Sequence, residues 1–251
     1  MALVEYKMDE HVAVISMNSG DNRLNPQFLE AFHDVLNTVE KQTDARVIVV
    51  RSSHDKIFSN GLDLDWLSPL IARDDHEAVK DFFVLLNRLF KRILLYPAIT
   101  IAALTGHAFA GGAILACAFD FRFMRSDRGF FCFPEVDLGI PFFPGMLALI
   151  KKAVPMYKFE EMQYTAKRLT AQECMDHHIV HQIFHKDQLM REVLSFAKEL
   201  NKNREIIREM KKRLYKNVVH ALDVEDTPYI EAGNFIFNGA LIQFKQAGWL
   251  A

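Results

Sequence analysis

ITIAALTGHAFAGGAILACAFDFRFM, residues 99–124, holds two strands, a helix and a glycine-bearing turn. Ile99–Leu104 is apolar except at Thr100, the pattern of a buried strand. Three glycines follow within seven residues, at Gly106, Gly111 and Gly112. Gly111–Ala118 then reads as a short buried helix, and residues 119–124 return as a strand. Strand, helix and strand in this order form a crossover, which predicts parallel neighbours in one sheet.

The same alternation extends towards the N-terminus. Residues 3–7 and Val12–Met17 read as short strands about a turn at Asp9-Glu10. Asn25-Pro26 opens a helix, because Asn caps well and Pro suits the first helical position. Phe28, Leu29, Phe32, Val35, Leu36 and Val39 follow at helical spacing. Residues 47–50 form a β-branched run of buried-strand type, and residues 78–95 a strongly apolar helix. Towards the C-terminus, Thr170-Ala171-Gln172-Glu173 is a capping-box signature, and residues 179–184 read as a final strand. Residues 186–202, 204–220 and 226–246 read as successive amphipathic helices. The basic run 208–216 fits the solvated face of one of them. This predicts an α/β unit over residues 1–185 and a helical region over 186–251.

The chain has 251 residues, half of them hydrophobic, and a net charge of −2. That is enough for a sizeable core, and it gives no field favouring nucleic acid or a membrane surface. The longest apolar run, residues 93–104, is too short to span a bilayer. Three scattered cysteines, Cys117, Cys132 and Cys174, suggest a reducing compartment. The N-terminus lacks the plan of a signal peptide and the C-terminus a Ser-Lys-Leu type of tripeptide, so the expected location is the cytoplasm.

Three segments carry candidate chemistry. A glycine pair at a helix start serves either close packing or the presentation of free N–H groups to an oxyanion, here from Gly111. No Lys-Ser or Lys-Thr follows Gly112, so a phosphate loop is excluded. Phe58-Ser59-Asn60-Gly61-Leu62-Asp63-Leu64 contains a turn signal, and Asp63 suits the cap of a following helix. Glu135 stands among Phe130, Phe131, Phe133, Val136, Leu138, Ile140, Phe142 and Phe143. It is either an exposed loop residue or, if buried, a carboxylate whose raised pKa makes it a base near neutrality. His177, His178, His181 and His185 lack a completing carboxylate or cysteine, so no metal site is expected.

In order and separation these segments resemble the enoyl-CoA hydratase/isomerase, or crotonase, superfamily. The resemblance takes in Asn22-Arg23-Leu24-Asn25, Phe58–Leu64, residues 106–120 and 133–139, and the helical tail. In detail it is most similar to the Δ3,Δ2-enoyl-CoA isomerases. It implies a spiral of ββα units with a C-terminal helical region that packs into trimers, often paired as hexamers. It implies an acyl-CoA substrate and no cofactor, since coenzyme A enters as part of the thioester. By the same resemblance, the Leu62 and Gly111 N–H groups would bind the thioester oxygen. Ser59, Asn60 and Gly61 would lie beside the adenine, and Lys56 near the nucleotide phosphate. Glu135 matches the second of two hydratase glutamates, whereas Ile114 stands where the first would be. Ile114 transfers no proton, which favours one-base isomerisation. Hydration, acyl-CoA hydrolysis and non-catalytic acyl-CoA binding are the rival expectations.

Overall fold

The computed structural model describes residues 2–233. Strands β1 (Val4–Asp9) and β2 (Val12–Met17) form an antiparallel hairpin, and helix α1 (Pro26–Gln42) follows. Asn25 caps α1 through its side chain, with Pro26 behind it. Then come β3 (Val47–Ser52), β4 (Ile57–Ser59), α2 (Leu64–Ala72) and α3 (His76–Leu94). The pattern repeats as β5 (Ile99–Leu104), β6 (His107–Phe109) and α4 (Gly111–Ala118). It repeats again as β7 (Phe121–Arg125) and β8 (Phe131–Cys132), followed by α5 (Glu135–Leu138), α6 (Pro144–Ala153), α7 (Met156–Thr165) and α8 (Ala171–Asp176). Strand β9 (Gln182–Phe184) and helices α9 (Lys186–Glu199), α10 (Arg204–Leu214), α11 (Lys216–His220) and α12 (Thr227–Glu231) complete the described chain, with one π-helical turn at Ala221–Glu225.

Each repeat places its first strand in a six-stranded sheet, ordered β1-β2-β3-β5-β7-β9, and its second in a three-stranded sheet, ordered β4-β6-β8. Every pairing after the first hairpin is parallel. This is the expected spiral of ββα units. Alternation along the strands explains why both faces of the large sheet are buried. Ile48, Val50, Ala102 and Leu104 join the core beneath α1, α3 and α4. Val47, Val49, Ile101 and Ala103 join a second cluster with Leu189, Val193 and Ala197. Those three recur every fourth residue on α9, so one helical stripe covers the far face.

Several boundaries differ from those expected. The final strand is confined to Gln182–Phe184, because Ile179 and Val180 are buried in the turn after α8. The helix expected over 204–220 breaks at Tyr215. The helix expected over 226–246 has Thr227–Glu231 within the described residues, and its part beyond residue 233 lies outside them. Lys211, read as solvated, is buried. Its ammonium donates to the Ala98 carbonyl (2.8 Å) and pairs with Asp120 (2.6 Å), so both ends of the charge are satisfied. Among the described residues no group of three potential metal ligands occurs, and no helix is long and apolar enough to cross a membrane.

Candidate active site

The site forms where two repeats touch. In β4 and β6, Ile57 pairs with His107 and Ser59 with Ala108, which brings the turn after β4 against the start of α4. The fit leaves no room for side chains. A Cβ on Gly112 would lie 2.3 Å from the Ser59 carbonyl oxygen, and one on Gly61 would lie 2.6 Å from the Gly111 nitrogen. Gly61 also has φ +79°, which glycine adopts without strain.

Two backbone N–H groups, those of Leu62 and Gly111, belong to residues that line the site. Leu62 bridges Leu24 in parallel fashion: the Leu24 N–H donates to Gly61 O (2.7 Å), and the Asp63 N–H donates to Leu24 O (3.1 Å). The bridging residue's own N–H therefore points away from Leu24. Gly111 is the first residue of α4, so its N–H has no acceptor within the helix. Ala110, immediately before it, has φ +50° and ψ −126°. That strained conformation for a non-glycine residue costs about 1–3 kcal/mol, and it aims the Gly111 peptide. At the other end of α4, Lys152 donates to the Cys117 and Phe119 carbonyls (3.1 and 2.6 Å), and Arg122 also donates to Phe119 O (2.9 Å). The Arg122 guanidinium complements the helix dipole there, while Lys152, whose pKa burial lowers to about 7, satisfies the same terminal carbonyls.

The turn after β4 is tied to the loop before α1. The Ser59 hydroxyl donates to Asn22 O (2.7 Å) and accepts from the Gly61 N–H (3.2 Å). The Asn22 amide donates to Ser52 Oγ (2.7 Å) and Phe58 O (2.9 Å). The Asn25 amide donates to Asp63 (2.8 Å), which also caps α2 at the Trp66 N–H, as expected.

A cavity of about 460 Å³ opens over the two donors. Glu135, Leu62, Gly111, Ile114 and Asn60 line it together. Ser59 and Gly61 lie behind the wall and shape it, while Lys56 is exposed and outside the lining. Glu135 opens α5 and is only 6% exposed, with no hydrogen-bond partner for its Oε2 among the described residues. Burial pushes its pKa up to about 8, against a smaller opposing effect of its own backbone N–H. Cys132 lines the cavity beside it, with its pKa pushed up to about 12 by burial and then by Glu135. It remains a thiol.

Other lining residues come from parts of the chain with no local motif. Phe83 and Met146 arrive from α3 and α6. His107 accepts the Phe130 N–H at Nδ1 (3.2 Å), which leaves Nε2 as the protonated nitrogen of the neutral ring. Burial, then Arg168 and Arg128, lowers its pKa. Arg168 lies over the Phe109 ring, 5.4 Å from its centroid.

A buried carboxylate in one cavity with two backbone N–H groups that have no acceptor among the described residues is chemically compatible with proton transfer next to a carbonyl. Comparison with known proteins agrees. The sequence matches the description "Enoyl-CoA hydratase/isomerase" over residues 7–237. The chain belongs to that family. Among its relatives, enoyl-CoA delta isomerase 3 of Arabidopsis thaliana is 29% identical over 81% of this chain and 88% of its own length. Peroxisomal enoyl-CoA delta isomerase 2 of the same plant is 32% identical over 54% of this chain and 57% of its own. An enoyl-CoA hydratase structure from Bacillus halodurans shares the fold, with a TM-score of 0.86 at 18% identity, covering 98% of this chain and 99% of that one. The family and its fold are therefore those the sequence resembled.

Proposed function

We propose that the protein is a Δ3,Δ2-enoyl-CoA isomerase that works with one carboxylate. The observation that supports this reading is the lining of the cavity, which Glu135 shares with Leu62, Gly111 and, from α4, Ile114. Ionised Glu135 takes a proton from C2 of a 3-enoyl-CoA. Charge moves to the thioester oxygen, which accepts from the two N–H groups. The protonated Glu135 then returns the proton at C4, and the double bond ends at the 2-trans position. An oxyanion donor of this kind is worth about 3 kcal/mol, and a positioned base about 10²- to 10⁴-fold. The thioester itself acidifies C2, so the chemistry needs no cofactor.

Hydration is disfavoured because a lone carboxylate would have to activate water and also protonate C2. The delta-isomerase relatives support the same choice. Self-association belongs to this reading as well. Ile206, Met210 and Leu214 recur every fourth residue on α10 and are 59–71% exposed, a stripe suited to a second copy of the chain. The reaction is tested by giving the protein 3-hexenoyl-CoA and 2-trans-hexenoyl-CoA in parallel. Conjugation, followed by ultraviolet absorbance, is expected to outpace hydration by at least about tenfold. Hydration as fast as isomerisation, or release of free thiol as the main product, contradicts the assignment.

A further inference from the structure

The cavity lining divides by chemistry: Asp21, Arg23, His107 and Arg168 supply its polar part. Phe83, Phe143 and Met146, which are 2%, 3% and 7% exposed, close off an apolar part from solvent. Leu138, Ile140 and Phe142 add to that apolar lining. A charged or strongly polar acyl group buried there would have no partner in these six side chains, and its desolvation would go uncompensated.

The apolar part is braced. Phe83 and Phe143 meet edge to face, with centroids 5.2 Å apart and planes at 68°. Phe83 rests in turn on Phe82 (5.2 Å), and Phe82 on Trp66 (5.2 Å). Phe143 meets Tyr229 of α12 at 6.3 Å. Phe142 is held edge-on by Phe133 (6.0 Å) and Phe159 (5.7 Å). Rings packed on several sides do not swing aside without displacing their neighbours. Behind them, the Asp226 carboxylate accepts from the Gly145 N–H and the Asn87 amide (each 2.7 Å), which pins the start of α12 to α6 and α3.

We infer that the Phe83–Phe143 pair is the specificity-determining wall of the site, and that it confines the substrate to thioesters of short, uncharged acyl chains. The inference rests on the acyl-CoA reading of the cavity. With the thioester oxygen held at Leu62 and Gly111, a longer chain runs into rings that are fixed from behind. The helical tail thereby acts on chain length through Tyr229, without touching the reacting carbons.

Saturated acyl-CoAs test this by binding alone, without reference to isomerase activity. Titration calorimetry with hexanoyl-CoA and decanoyl-CoA is expected to show the wild type binding the longer thioester at least about tenfold more weakly. Phe143→Ala is expected to shrink that ratio by about tenfold or more, and Phe83→Leu, a milder truncation that preserves an apolar core residue, to move it in the same direction. Equal affinities in the wild type overturn the inference. So does a ratio that stays at the wild-type value in Phe83→Leu, whether or not Phe143→Ala folds. Failure of any thioester to bind overturns both the inference and the acyl-CoA reading, whereas binding that ignores length overturns the wall alone.

Discussion

Glu135 combines burial with an unsatisfied Oε2, and each property has a measurable cost. Its pKa is raised from an ordinary 4.5 to about 8, so the folded protein holds a proton there that the unfolded chain has lost. The sign follows. Below the unfolded value both states are protonated and the site costs nothing; as pH rises through the folded value the cost appears in full. Unfolding by denaturant at pH values of about 5 and about 9 is expected to show Glu135→Gln gaining on the wild type at the higher pH, by at least about 1 kcal/mol. An advantage that does not grow with pH contradicts the raised pKa. Catalysis runs the other way, since only the ionised form takes a proton from C2. The kcat/KM of the wild type is therefore expected to climb with pH through about 8, and a profile already flat at pH 6 contradicts that role.

Two short parallel strands and a helix start make up the element that holds the donors. Gly112 makes a tight contact there, since a Cβ would meet the Ser59 carbonyl oxygen at 2.3 Å and the Ser59 Cβ at 2.7 Å. Gly112→Ala is expected to push the turn after β4 away from α4 and separate Leu62 from Gly111. Losing one oxyanion donor costs about 10²- to 10³-fold in kcat, and a fall of at least about 10²-fold is expected here, with the circular dichroism spectrum unchanged. Wild-type kcat in a folded Gly112→Ala variant contradicts the two-loop geometry. The long elements of this region are legible in the sequence. β3 announces itself by the β-branched run 47–50 and β5 by a run that is apolar except at Thr100, while Asn25-Pro26 and Thr170–Glu173 mark the starts of α1 and α8. β4, β6 and β8 span three, three and two residues, too short for any periodicity to register. The glycine turns that border the cavity are legible in the sequence, but the burial of Glu135 is not. Its cavity is lined by side chains from distant segments, Phe83 and Met146 among them, that no neighbouring residue reports. Lys211 misled for the same reason: a lysine in a basic helix looks solvated until Asp120 is seen beneath it.

At the scale of the whole molecule, three ββα repeats stack two sheets so that the glycine turns of successive repeats meet. In the proposed reaction the backbone supplies the donors and one side chain moves the proton, while α4 brings apolar Ile114 to the same cavity. The C-terminal helices brace the apolar lining through α12 and cover the large sheet through α9. The proposed function makes Glu135 the lone proton carrier. The most direct test is the rate at which purified wild type and Glu135→Gln convert 3-hexenoyl-CoA to its conjugated isomer. The substitution keeps the size and shape of the side chain, so hexanoyl-CoA affinity is expected to remain within a few-fold while turnover falls by at least about 10²-fold. Turnover of Glu135→Gln close to that of the wild type would contradict the central claim.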